Sequence, residues 1–141
     1  TDRISGFLGE MADRHIMVNP ALITTELKRP EELQKLRDNI HSRLATAYIC
    51  LNAFTWHLLH DELSAAGLNC PGDVSVVTVD RSGILGNPAE EPTHIQQDAD
   101  KIAWASVNLL HERITGKSAA ECESIAIAPT FVEGFSTAFI S

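Results

Sequence analysis

The chain contains no apolar run near the roughly 18 residues that a membrane span requires. Its opening, Thr1-Asp2-Arg3-Ile4-Ser5, lacks the basic and apolar regions of a secretory signal. It also opens without an initiator Met, directly into helix-like sequence, as a fragment or processed product would. Nowhere do lysine and arginine concentrate: 11 basic residues stand against 19 acidic ones, for a formal charge of −8. That leaves no footprint for a phosphate backbone, so these residues are not expected to bind nucleic acid by themselves. Cysteine is scarce. Cys50, Cys70 and Cys122 lie far apart, with no CxxC pair, which fits free thiols in a reducing compartment, the cytoplasm by default. Gly83, Gly86 and Pro88 have neither Walker nor dinucleotide spacing, so no phosphate loop is expected. No repeat or low-complexity tract is present. No Ser/His/Asp or Cys/His set is supported by its surroundings, which argues against an enzyme and against any cofactor.

What is present fits one compact domain. At 141 residues, a chain buries roughly 68–70% of its unfolded surface. The 44% hydrophobic and 21% charged content is that of an ordinary globular protein. Ile4, Phe7, Leu8 and Met11 recur at helical spacing after Asp2, a good N-cap. Ala21–Thr25 is short, apolar and partly β-branched, and predicts a strand. Pro30, followed by Glu31 and Glu32, suits a helix start, and Leu33, Leu36, Ile40 and Leu44 continue its stripe. Thr46–Leu51 is nearly continuous in apolar residues, as in a strand buried on both faces. Phe54–Ala66 is helical by pattern, with Gly67 placed to end it. Val74–Val79 is the clearest strand. A Gly- and Pro-containing loop runs from Asp80 to Pro92. Asp98 can cap a long helix whose stripe includes Ile102, Ala105, Leu109 and Ile114, closed by Gly116. Ser124–Ala128 reads as a final strand, followed by an extended apolar tail through Phe131 and Val132.

This alternation predicts an α/β fold, a parallel sheet flanked by helices on both faces. In open parallel sheets, ligands bind beyond the carboxyl ends of the strands. Asn52 directly follows Thr46–Leu51 and Asp80 directly follows Val74–Val79, so both become candidate ligand contacts. His57, His60 and Asp61, at i, i+3 and i+4, would share one helix face that could meet a metal. No metalloenzyme motif surrounds them, so a solvated or dimer-facing helix surface is expected and no metal site. Trp56 and Trp104 could stack on a sugar, but helical aromatics usually pack.

Four segments, in order, carry a family resemblance: Asp2-Arg3-Ile4-Ser5-Gly6-Phe7, Thr46-Ala47 through Asn52, Ala65 through Asp80 with its Gly67, Pro71-Gly72-Asp73 and final Asp, and Pro92-Thr93-His94-Ile95-Gln96-Gln97-Asp98. The set closely resembles the C-terminal effector-binding region of lac-repressor/galactose-repressor (LacI/GalR) transcription regulators. The resemblance implies a type I periplasmic-binding-protein-like fold, mainly its C-terminal subdomain. Residues 1–92 and 129–141 would belong to that subdomain, and 93–128 to a crossover, helix and strand of the N-terminal one. It further implies a cytoplasmic homodimer that senses a sugar, sugar phosphate or nucleoside, with DNA read by a helix-turn-helix absent from these residues. Arg3 falls at the family's effector-binding arginine and Gln97 at its crossover glutamine, joining Asn52 and Asp80 as ligand-binding candidates. Two departures matter. The family's Asn-Asp is here Asn52-Ala53, and its Gly-aromatic-Asp-Asp is Thr78-Val79-Asp80-Arg81. One acid is lost and one base gained, which opens the possibility of an anionic effector. An exported solute-binding protein of the same fold and an α/β enzyme acting on a small metabolite are the rival readings.

Overall fold

The computed structural model describes residues 2–82, 91–116 and 124–139. The expected loop at 83–90 and Cys122 lie outside them. In chain order the elements are α1 (Asp2–Asp13), a short 3-10 turn (Pro20–Leu22), α2 (Pro30–His41), β1 (Ala47–Cys50), α3 (Ala53–Ala65), β2 (Ser75–Val79), β3 (His94–Gln96), α4 (Ala99–Ile114) and β4 (Thr130–Val132). The strands form one sheet in the order β1-β2-β3-β4. The first three run parallel, and β4 returns antiparallel to β3, with Ile95 opposite Phe131.

The helix ends follow local chemistry. Pro30 opens α2 with its φ already helical, and Glu31 and Glu32 sit at the positive end of the helix dipole. The helix stops at His41, short of Leu44, because Arg43 turns left-handed (φ 48°) and Leu44 N–H bonds back to the Asn39 carbonyl. Leu44 is accordingly outside the stripe and exposed. Asn52 caps α3, its Oδ1 accepting the Thr55 N–H at 2.9 Å. At the other end Gly67 takes φ 71°, Gly67 N–H reaches Ser64 O, and Leu68 N–H reaches Leu63 O. This is the Schellman pattern, and it folds buried Leu68 under buried Leu63.

The core joins α2, α3 and one sheet face through Leu36, Ile40, Cys50, Trp56, Leu59, Leu63, Leu68, Val74 and Val76. By contrast α1 buries no side chain, and α4 buries only Ala105. On α4, Trp104, Val107, Leu110 and Ile114 are exposed, while Ile102, Ala105 and Leu109 line a shallow groove with Ile125 and Ile127.

Three expectations are corrected. Ala21–Thr25 is no strand. Asn19 Oδ1 accepts Ala21 N–H and Pro20 fixes a helical φ, so the chain makes a 3-10 turn. Its carbonyls are then taken by α2 side chains, Asn39 Nδ2 donating to Ala21 O and Lys35 Nζ to Ile23 O. Ser124–Ala128 is also not a strand. The ladder with β3 begins only at Thr130, opposite Gln96, and the preceding residues run beside α4. Lastly, β1 is buried on one face only. It lies at the sheet edge, where Cys50 is buried but Ala47 and Ile49 stay exposed.

β2 is two residues longer than β3, and Ser136 completes it. Val76 N–H bonds to Ser136 O at 2.8 Å, and Ser136 Oγ donates to Val76 O at 2.6 Å while accepting Thr93 N–H at 2.9 Å. Thr93 Oγ1 meets Gly134 O and Thr137 Oγ1. Gly134 is required there. A Cβ on it would lie 2.3 Å from the Glu91 carbonyl oxygen.

Candidate functional site

Parallel strands deliver their carboxyl ends to one edge of the sheet, and the residues that follow them gather there. Asp80 ends β2. Its N–H makes the last ladder bond, to Ile95 O at 2.9 Å, and its backbone then turns left-handed (φ 65°). Aspartate is one of the few side chains that tolerates that conformation. Gln97 ends β3. Its Nε2 donates to both Asp80 carboxylate oxygens, at 3.0 and 2.8 Å, with its own N–H 3.4 Å from Oδ1. Arg3 enters from α1. Its guanidinium donates to the Leu51 carbonyl at the end of β1 and lies 3.8 Å from Asp80 Oδ2.

Three of the four sequence candidates, Arg3, Asp80 and Gln97, therefore meet. The fourth, Asn52, is adjacent to the carbonyl that holds Arg3, but its Oδ1 is committed to capping α3. Its Nδ2 donors make no hydrogen bond with the described residues. The cluster is open to solvent, the Arg3 and Asp80 side chains being 43% and 42% exposed. Beside it, Gln96, Gln97, Asp98, Ala99, Asp100 and Thr130 line a polar depression at the start of α4. Asp98 caps that helix through Lys101 N–H, and its carboxyl is held below the usual range by its bonds to the Lys101 side chain and backbone. Chemically the cluster offers fixed acceptors on Asp80 and fixed donors on Arg3 and Gln97, an arrangement suited to hydroxyl groups.

The added base, Arg81, does not stand alone. Its Nε lies 3.9 Å from the Glu91 carboxylate, whose other oxygen accepts both Ser82 N–H and Ser82 Oγ at 2.9 Å. The sequence marks no role for Glu91 or Ser136, and for Thr93 only membership of the Pro92–Asp98 segment, because each acts through partners distant in the chain. The two tryptophans separate. Trp56 is core, edge-on to Phe135, whereas Trp104 is exposed on α4. His60 rests against the Trp56 ring, and among the described residues no group of His, Cys, Asp and Glu is arranged to hold a metal. Nor is any helix of the described residues long and apolar enough to cross a membrane.

The family profile of the periplasmic binding protein-like domain matches residues 1–137. The chain belongs to this family, in its LacI/GalR form. The HTH-type transcriptional repressor PurR of Histophilus somni (strain 129Pt) is 28% identical over 132 residues, covering 92% of this chain and 39% of that protein. A LacI family transcriptional regulator from Enterococcus faecium, solved with bound ribose, is 26% identical, with a TM-score of 0.63 over 77% of this chain and 41% of its own. The transcription regulator CcpA of Lactococcus lactis shares the fold at a TM-score of 0.76 and 17% identity, over 96% of this chain and 50% of that one. The chain thus spans about two-fifths of the length of the repressor it matches. Its sheet, three parallel strands and an antiparallel return, carries Asp80 and Gln97 to one edge, where Arg3 of α1 meets them.

Proposed function

We propose that this chain is the effector-sensing part of a LacI/GalR-type transcription regulator and takes a sugar or a related hydroxyl-rich metabolite. The observation that carries the reading is the Arg3–Asp80–Gln97 cluster at the carboxyl edge of the sheet. Its donors and acceptors are already mutually oriented, so a vicinal diol replaces existing hydrogen bonds rather than ordering loose side chains. The ribose bound to the Enterococcus faecium regulator supports the same class of ligand. Asn52 joins through its Nδ2 donors.

In this reading the regulator is a cytoplasmic homodimer, and DNA is read by a helix-turn-helix outside these residues. Residues 1–92 and 129–141 form one subdomain. Residues 93–128 belong to the other, whose remaining parts cover Trp104, Val107, Leu110 and Ile114. Binding by this chain alone is then weak, because one wall of the cleft is missing.

Nuclear magnetic resonance titration of the chain with pentoses, hexoses, their phosphates and nucleosides tests the reading. The expected result is millimolar binding of one hydroxyl-rich class that shifts the Asp80 and Gln97 amides. Asp80→Ala and Gln97→Ala each weaken it at least about tenfold, as loss of a charged or bifurcated hydrogen bond entails. Shifts confined to other surfaces, or binding indifferent to both substitutions, overturn it.

A further inference from the structure

Glu91 is a buried carboxylate that the effector site does not itself use. Only 7% of the residue is exposed, and Ser82, which it grips, is 4% exposed. A carboxylate withdrawn from water is costly unless its oxygens are satisfied. Here Oε2 takes both donors of Ser82, and Oε1 faces the Arg81 guanidinium. The backbone of Glu91 is itself fixed. Its carbonyl accepts Phe135 N–H at 3.2 Å and lies so close to Gly134 that no side chain fits between them.

Only Arg81 separates Ser82 from Asp80. Asp80 must hold φ at 65° to aim its carboxylate at Gln97, and a non-glycine residue stays there only when its surroundings hold it on both sides. On one side is the ladder bond from Asp80 N–H to Ile95 O. On the other, the first fixed point is the Ser82–Glu91 grip.

We propose that Glu91 is a positioning residue of the effector site: by clamping Arg81 and Ser82 to the rigid 134–136 return, it holds Asp80 in the orientation that meets Gln97 and Arg3. The inference deepens the effector-site reading and rests on it for its meaning, but its test needs no ligand. The reporter is the Gln97 side-chain amide, whose protons are displaced from free-glutamine positions by the Asp80 carboxylate. Asp80→Ala fixes the reference for the broken pair.

In Glu91→Ala the Gln97 amide signals move most of the way to that reference, while the Trp56 indole signal in the core stays in place. Glu91→Gln keeps an acceptor for both Ser82 donors and restores most of the original position. A carboxylate that merely tethers the strand exit would leave Gln97 unmoved in Glu91→Ala, and that result overturns the proposal. If Glu91→Ala does not fold, Ser82→Ala, which deletes one of the two bonds, must move the Gln97 signals part of the way in the same direction. No movement there also overturns it. Because ligand is absent throughout, failure here leaves the effector reading intact, and failure of the sugar titration leaves this measurement interpretable.

Discussion

Ser136→Ala removes one oxygen atom from a site with no solvent exposure, and the structure fixes what that removal costs. Ser136 Oγ donates to Val76 O at 2.6 Å and accepts Thr93 N–H at 2.9 Å. Val76 is likewise fully buried, as is Thr93, so water cannot replace the lost partner without opening the sheet. Each orphaned buried backbone group costs about 1–3 kcal/mol. Allowing for partial relaxation, the variant should lose about 3 kcal/mol, against a total stability of about 5–15 kcal/mol for a domain. Urea unfolding followed by the fluorescence of buried Trp56 reads this as a midpoint lowered by about 1–2 M, at a slope of about 2 kcal/mol per M. Ser75→Ala is the control. Its hydroxyl makes only long, exposed contacts with Ala138, at 3.3 and 3.4 Å, and its loss should stay within about 0.5 kcal/mol. A Ser136→Ala loss below about 1 kcal/mol would refute the argument that this side chain completes the β2 ladder.

Two further outcomes follow from titrating groups. Burial pushes the Cys50 thiol up to about 12 and the Cys70 thiol to about 11, so in a Cys122→Ser background the folded chain should show no fast thiol reaction with Ellman's reagent at pH 8, and two reactive thiols in urea; a prompt reaction in the folded state contradicts the packing. The Arg37 guanidinium makes a two-pronged bond to Glu62, at 2.7 and 2.8 Å, and holds that carboxyl below its usual range. A depressed carboxyl stabilises the fold fully above its unfolded pKa of about 4.3 and loses that contribution as pH falls through the lower folded value. The melting temperatures of the chain and of Glu62→Gln should therefore differ at pH 7 and converge in acid, and a gap that widens in acid would contradict the sign.

The elements that could be read from sequence are those whose cause is local. α3 is bounded by Asn52 and Gly67, a cap and a left-handed stop that act within four residues of the helix ends. β2 alternates buried Val76 and Thr78 with half-buried neighbours, so its five residues carry their own signature. The misread segments are short apolar runs whose fate depends on distant partners. Ile23 looks like strand, but its carbonyl is claimed by Lys35, 12 residues on. Ile125 and Ile127 look like strand, but they lie along α4, and the ladder waits for Thr130. Burial of β1 was overestimated for a related reason. An apolar composition shows that a strand can be covered on both faces, not that a neighbour lies over Ile49.

The candidate site divides in the same way. Position after a parallel strand singled out Asn52 and Asp80, because the carboxyl-end rule depends only on topology. Arg3 and Gln97 required the family resemblance, since an arginine in a first helical turn and a glutamine after a three-residue strand have no local distinction. Glu91 and Ser136 were not singled out, and Thr93 entered only as a member of the Pro92–Asp98 resemblance segment, with no role of its own. They are a carboxylate and two hydroxyls in a chain rich in both, and their partners, Ser82 for Glu91 and the 134–137 return for Thr93, lie far enough along the chain that no local pattern marks them. The consequence is physical. β3 is three residues long, with the buried Thr93–Ser136 clamp immediately before it and Gln97 immediately after it. Any ligand that draws on Gln97 therefore pulls on a strand whose far end cannot yield independently. The Asp80–Gln97 pair and the clamp must then move as one unit, or not at all.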